Sequence, residues 1–140
     1  MFGGRESFLN KAFLVCWEND WVFTVQVGNE SYNGGVFDAA ARHTIDMSST
    51  RFMLDGVINA SYTTDPFTSP GSLYIGACSN SDLTTENASM RIYSCKIYDG
   101  ASLIRNLVPA REVASNTYGF YDTVNSVFYN KAAGNDFTVL

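Results

Sequence analysis

The chain holds one histidine, His43. An imidazole is the side chain whose own proton equilibrium lies near neutral pH, so any acid–base or metal chemistry would be sought there first. It stands in Arg42-His43-Thr44-Ile45-Asp46, and no second histidine exists to share a metal ion. A Ser-His-Asp triad would have to use this residue, yet the Gly-x-Ser-x-Gly turn that exposes a nucleophilic serine does not occur. His43 is therefore expected to be a structural or surface imidazole.

Carboxylates come next, because a glycosidase needs two of them facing each other across a cleft. The strand motif Glu-x-Asp-x-x-Glu is absent, and Glu6, Glu18, Glu30, Glu86 and Glu112 all stand in or beside expected loops or turns. Asp38, Asp46, Asp55 and Asp82 follow no calcium-loop spacing and read as solvated turn residues. Asn33-Gly34-Gly35 lacks the lysine and the following helix of a phosphate loop. The expectation is a chain with no catalytic residue, no metal and no cofactor.

Cys16, Cys78 and Cys95 are too far apart for a CxxC motif, and their odd number excludes a fully paired framework. They are expected as buried thiols, with a Cys78–Cys95 bridge left open by their neighbouring apolar segments. Trp17 and Trp21 flank the first expected turn. An exposed indole there would stack on a sugar ring, which makes these two the candidates for glycan contact, although packing into the core is the expected role. Asn29-Glu30-Ser31, Asn59-Ala60-Ser61 and Asn87-Ala88-Ser89 match the glycosylation pattern, which arises by chance in a chain so rich in Asn and Ser.

The elements that must position these residues are short and follow a two-residue period, each ending at Gly, Asn, Asp or Ser before a helix could form. Lys11 to Glu18 and Asp20 to Val27 are two such runs, joined by Glu18-Asn19-Asp20 into an expected hairpin. Gly28 to Asp38 reads as a loop by its glycines and asparagines, and Ala39-Ala40-Ala41 as one turn. Arg42 to Ser48 and Thr50 to Leu54 are expected strands. Asp55-Gly56 before Val57-Ile58 is the residue pair of a two-residue hairpin turn. Leu73 to Cys78 reads as a core strand, Ser79 to Ser89 as an exposed connection, and Met90 to Tyr98 as a strand turning at Asp99-Gly100 into Ser102 to Val108. Pro109 is expected to end the pairing, for it has no N–H to donate. Tyr118 to Asp122, Val127 to Asn130 and Asp136 to Val139 close the series.

Length and composition agree with an all-β reading. The 140 residues, 46% of them hydrophobic and 14% aromatic, are enough to bury one core, and they predict a single domain over residues 1–140. A net charge of −5 with no run of Lys or Arg argues against nucleic acid. No stretch approaches the roughly 20 apolar residues that cross a bilayer. Met1 to Ser7 has neither the basic start nor the apolar middle of a signal peptide, so membrane insertion is not expected.

Met90-Arg91-Ile92-Tyr93-Ser94-Cys95-Lys96-Ile97-Tyr98-Asp99-Gly100, Leu103 to Ala110, Gly119-Phe120-Tyr121-Asp122, Phe128-Tyr129-Asn130, Gly134 and Phe137 together resemble a known pattern. They are similar to the C-terminal half of concanavalin A-like (laminin-G-like) domains, which occur in phage and prophage tail proteins and in surface proteins of gut bacteria. Phe2-Gly3-Gly4-Arg5, Phe52 to Val57 and Leu73 to Gly76 fit the same family upstream.

The resemblance implies a jelly-roll β-sandwich of two antiparallel sheets. Family members usually begin with a further strand or two ahead of the position of Phe2, which implies an open sheet edge for a partner to cover. It implies a non-enzymatic module of a bacteriophage particle, such as a tail, fibre or capsid-decorating domain. Its partners would be other virion proteins, a second copy of itself in a homo-oligomer, or a host-surface glycan. The alternative is a carbohydrate-binding, lectin-like module of a bacterial surface or secreted protein. Asp122 is expected to be a turn-former bonded to backbone N–H groups.

Overall fold

Two-residue alternation puts successive side chains on opposite faces, and a chain built from such runs must pair them edge to edge. The computed structural model describes residues 2–4, 12–17, 21–68, 73–79, 85–87 and 90–130, and among them every regular element is a strand. All pairings are antiparallel. The chain divides into two compact units, Met1–Ser89 and Met90–Leu140.

In the first unit, β1 (Phe2–Gly4), β2 (Ala12–Trp17), β3 (Val22–Gly28), β4 (Glu30–Val36) and β8 (Tyr74–Ile75) form a five-stranded sheet in the order β4-β3-β2-β1-β8. β5 (Ile45–Met47), β6 (Arg51–Leu54) and β7 (Val57–Ser61) form a second sheet of consecutive hairpins. β9 (Ala77–Ser79) and β10 (Thr85–Asn87) make a separate two-stranded ladder.

The first two sheets share one core, as the alternation predicts. Val15, Phe23, Val25 and Val27 from the larger sheet meet Phe52, Leu54, Ala60 and Tyr62, with Tyr32, Phe37, Met47 and Phe67 packed around them. Phe52 and Val25 are fully buried. A Phe or Leu taken out of water in this way contributes about 1.5–3 kcal/mol. Ala12, Leu14 and Gln26, which alternate with the core residues along β2 and β3, are buried as well.

The β2–β3 hairpin forms as expected, its turn residues 18–20 lying outside the described set. Asp55-Gly56 likewise makes a two-residue turn, with φ of 52° and 81° at its two positions, the left-handed pair that the tight hairpin turn demands. Ala39 to Ala41 is a turn, held by Ala40 N–H donating to Asp38 Oδ1 and Ala41 N–H donating to the Asp38 carbonyl.

The expected loop from Gly28 to Asp38 is instead mostly strand β4. Only Gly28 and Asn29 turn the chain, and Gly34 serves close packing, because a bulge opposite Phe23 and Thr24 brings its backbone against the core. The expected core strand over Leu73–Cys78 is broken at Gly76, whose φ of 81° interrupts the ladder between β8 and β9. Leu73 there is exposed. Part of the expected Ser79–Ser89 connection is β10. β1 is flanked by β2 and β8, so the strand that ends this sheet beyond β3 is β4.

The second unit is a meander of β11 (Cys95–Asp99), β12 (Ser102–Glu112), β13 (Thr117–Asp122) and β14 (Val127–Tyr129). Register places Leu107, Phe120 and Asp122 on one face, and all three are buried. Gly119 is required on the other face, where an added Cβ would collide with the Tyr129 carbonyl. The expected strand over Met90–Tyr98 is shorter, starting only at Cys95.

Pro109 does not end the pairing, for β12 continues against β13 to Glu112. The register explains this. Asn106 directs its carbonyl at Thr123 N–H on the β13 side, so two-residue alternation turns residue 109 the other way. On that other side β11 pairs no further than Leu107, and a missing N–H at residue 109 breaks no ladder bond. The expected strand Asp136 to Val139 lies outside the described residues.

Candidate functional site

Trp21 follows the first hairpin turn with φ of 55°, a backbone conformation uncommon for so bulky a residue. Its carbonyl accepts the Phe37 N–H at 2.9 Å, and its indole stands edge-on to the Phe37 ring with centroids 5.9 Å apart. Phe37 in turn stacks on Phe23 of the core at 4.2 Å. The indole is thus anchored on one side and 51% exposed on the other. Core packing, the expected role, does not hold for Trp21, because the backbone leaves β3 at this point and carries the side chain outward. Trp17 belongs to β2, and its side chain lies outside the described residues.

His43 also stands edge-on to Phe37, 5.8 Å between centroids. Nδ1 lies 2.7 Å from Asp55 Oδ2, and Nε2 lies 2.8 Å from the Asp38 carbonyl. Asp55 is itself fixed, accepting Thr44 N–H on Oδ1 at 2.8 Å. The hydrogen bond from the ring holds the His43 pKa above 6.5, with the Asp38 carbonyl adding to it, and Thr44 N–H and His43 hold the Asp55 carboxyl below 3.8. With an acceptor at each nitrogen, the imidazolium is the form that satisfies both contacts, and it has no lone pair to take a proton or bind a metal. The expectation of a structural imidazole agrees with this geometry.

Asp122 is wholly buried, with 0% of it exposed. Its Oδ1 accepts N–H from Asn106 at 3.1 Å and from Val124 at 3.0 Å, and its Oδ2 accepts from Asn125 Nδ2 at 2.7 Å. Arg105 Nε stands 3.6 Å from the same Oδ2. Burial pushes this carboxyl up, but the bonds from Asn106, Asn125 and Val124 outweigh it and leave the pKa below 3.8. Asp122 is the turn-former the sequence indicates: it ties β12 to the turn that follows β13.

Near the end of the first unit's core lies a groove of about 570 Å3, lined by Phe13, Val27, Ser49, Thr50, Pro66 and Phe67 with Thr63, Thr64 and Asp65. The lining combines the apolar side chains of Phe13, Val27, Pro66 and Phe67 with four hydroxyl-bearing residues and one carboxylate. Tyr62 stands beside it, its hydroxyl 2.8 Å from both the Ser48 and Arg51 carbonyls, and burial pushes its pKa up to about 12. Sequence reading missed this groove, because Asp65 to Ser72 reads only as a loop by its two prolines and its glycine, and nothing in its order signals what it packs beside.

The remaining sequence candidates are scattered. Glu30 accepts the Tyr32 hydroxyl at 2.6 Å, and Glu112 accepts from Ser115. Glu6, Glu18 and Asp82 lie outside the described residues. Among the described residues no group of three or more His, Cys, Asp or Glu side chains is placed to hold a metal ion. Cys16 and Cys95 are half-buried, Cys95 is a free thiol whose pKa burial raises, and the Cys78 side chain lies outside the described set. Of the four acidic positions, Asp38 and Asp55 are brought together, both by His43. No protein-family model matches the sequence, no curated protein matches it, and no solved structure matches the fold.

Proposed function

We propose that this chain is a non-enzymatic module of a bacteriophage particle, a concanavalin A-like jelly roll serving as a tail, fibre or capsid-decorating domain. It works by surface contact with other virion subunits, with its own copies, or with a host-surface glycan. One observation supports the reading: among the described residues, His43 and Asp122 are committed to internal bonds, while several large apolar side chains stand exposed. His43 and Asp122 are held at every oxygen or ring nitrogen. Trp21, Val36, Val57 and Ile58 are each more than half exposed and are the side chains offered for such contacts. The resemblance of the segments from Met90 to Asn130 to phage tail domains supports the same reading.

Light scattering of the purified chain tests it, together with a glycan array. A stable homo-oligomer with no glycan bound is the expected result, and a monomer that binds one glycan class tightly favours the second reading. That second reading, a lectin-like module of a bacterial surface or secreted protein, draws on the groove beside Tyr62, where hydroxyls, Asp65 and the Phe67 ring stand together. Hydrolysis of any offered glycan would refute both.

A further inference from the structure

We propose that His43 is a pH-operated clamp, fastening the Asp38–Ala41 turn and the Phe37–Trp21 ring pair to the Asp55-Gly56 hairpin turn in its doubly protonated form and releasing that turn when one proton leaves. The inference concerns the control of the Trp21 surface and goes beyond the contact role itself.

The geometry sets which proton leaves. Nδ1–H points at a carboxylate oxygen 2.7 Å away, and Nε2–H at a backbone carbonyl 2.8 Å away. The bond to the carboxylate is the charge-assisted one and holds its proton more strongly. Deprotonation therefore takes Nε2–H and leaves the neutral ring hydrogen-bonded to Asp55. The vacated Nε2 lone pair then faces the Asp38 carbonyl oxygen, and two acceptors at that distance repel.

Asp38 is the residue that must move. The carbonyl that loses its imidazole donor also receives Ala41 N–H, and its carboxylate receives Ala40 N–H, so the whole turn follows it. Phe37 is the residue next to Asp38, and it carries the edge contacts to both His43 and Trp21.

The charged groups acting on the ring are Asp55, from the β6–β7 turn, and Asp38, from the turn before β5, both favouring the cation. Arg42 is its neighbour in the chain. Because the folded-state pKa lies above 6.5, the clamp closes as pH falls through the raised value and opens as pH rises through it.

The sequence contains a single histidine, so ring resonances in a nitrogen–proton NMR titration belong to His43 alone. The expected result is a midpoint above 6.5 and a neutral form protonated at Nδ1. The amides of Ala40 and Ala41 and the Trp21 indole, assigned with Trp21→Phe, should shift with the same midpoint, and amide exchange at Ala41 should speed up above it. Asp55→Asn should bring the midpoint down. A wild-type ring titrating at or below 6.5, a neutral form protonated at Nε2, or turn amides indifferent to the ring's titration would each overturn the proposal, and none of these needs a variant to fold.

Discussion

Gly34 lies directly against the ring of Phe52: a Cβ built on it would come within 2.9 Å of Phe52 Cε1, and equally close to Phe23 Cβ and Val25 Cγ2. These neighbours are buried and belong to both sheets of the first unit, so none gives way cheaply. Gly34→Ala should cost about 1–3 kcal/mol by overpacking. Phe52→Ala should cost about 3–5 kcal/mol by leaving a cavity. Combined, the two should cost less than their sum, because the added methyl group points into the space the ring vacates. Urea unfolding of the three variants measures this, and strict additivity would argue against the contact.

Gly56 tests the opposite cause. Its φ is 81°, and nothing stands within 4 Å of where a Cβ would be, so only the backbone resists a side chain. Gly56→Ala should cost about 1–2 kcal/mol through left-handed strain alone. Gly56→Asn should lose less, since asparagine tolerates that conformation. Equal losses for the two variants would point to a contact instead.

For Asp122 the prediction concerns acid. A carboxyl held below its ordinary 3.8 contributes stability that is present above that value and lost as pH falls through the lower folded-state value. Asp122→Ala should therefore reduce stability at neutral pH and flatten its dependence between neutral and strongly acidic conditions. Asp122→Asn should be milder, since its amide oxygen can still accept N–H from Asn106 and Val124. Denaturant midpoints measured across the acidic range separate the outcomes.

Tyr62 should be among the last tyrosines to ionise. Its pKa is pushed from 10.0 up to about 12, and its one hydroxyl proton lies between two carbonyls. The stability this contributes is present below pH 10 and lost as pH climbs through the raised value. Tyr62→Phe should cost about 0.5–1.5 kcal/mol at neutral pH, leaving a carbonyl pair short of a donor. Alkaline spectrophotometric titration should show one late-ionising tyrosine fewer in the variant.

What could be read without coordinates was local. The Asp55-Gly56 turn, the hairpin across residues 18–20 and the bonding role of Asp122 are each written in a few adjacent residues whose backbone preferences admit one solution. Where the reading failed, the deciding partner was distant in sequence. Gly34 looks like loop material until Phe52 is known to lie on it, and Pro109 looks like a stop until β11 is known to pair no further than Leu107. Trp21 and His43 are 22 residues apart, so nothing local announced that both would contact Phe37.

Pro109 has one more effect. The border of a sheet is an invitation to any extended chain that drifts past, since its open amides can be matched by a newcomer. Where β12 outruns β11, the outward position that would greet such a visitor offers a ring carbon in place of a hydrogen. The part of β12 beyond its pairing with β11 is thereby made a poor template for runaway stacking.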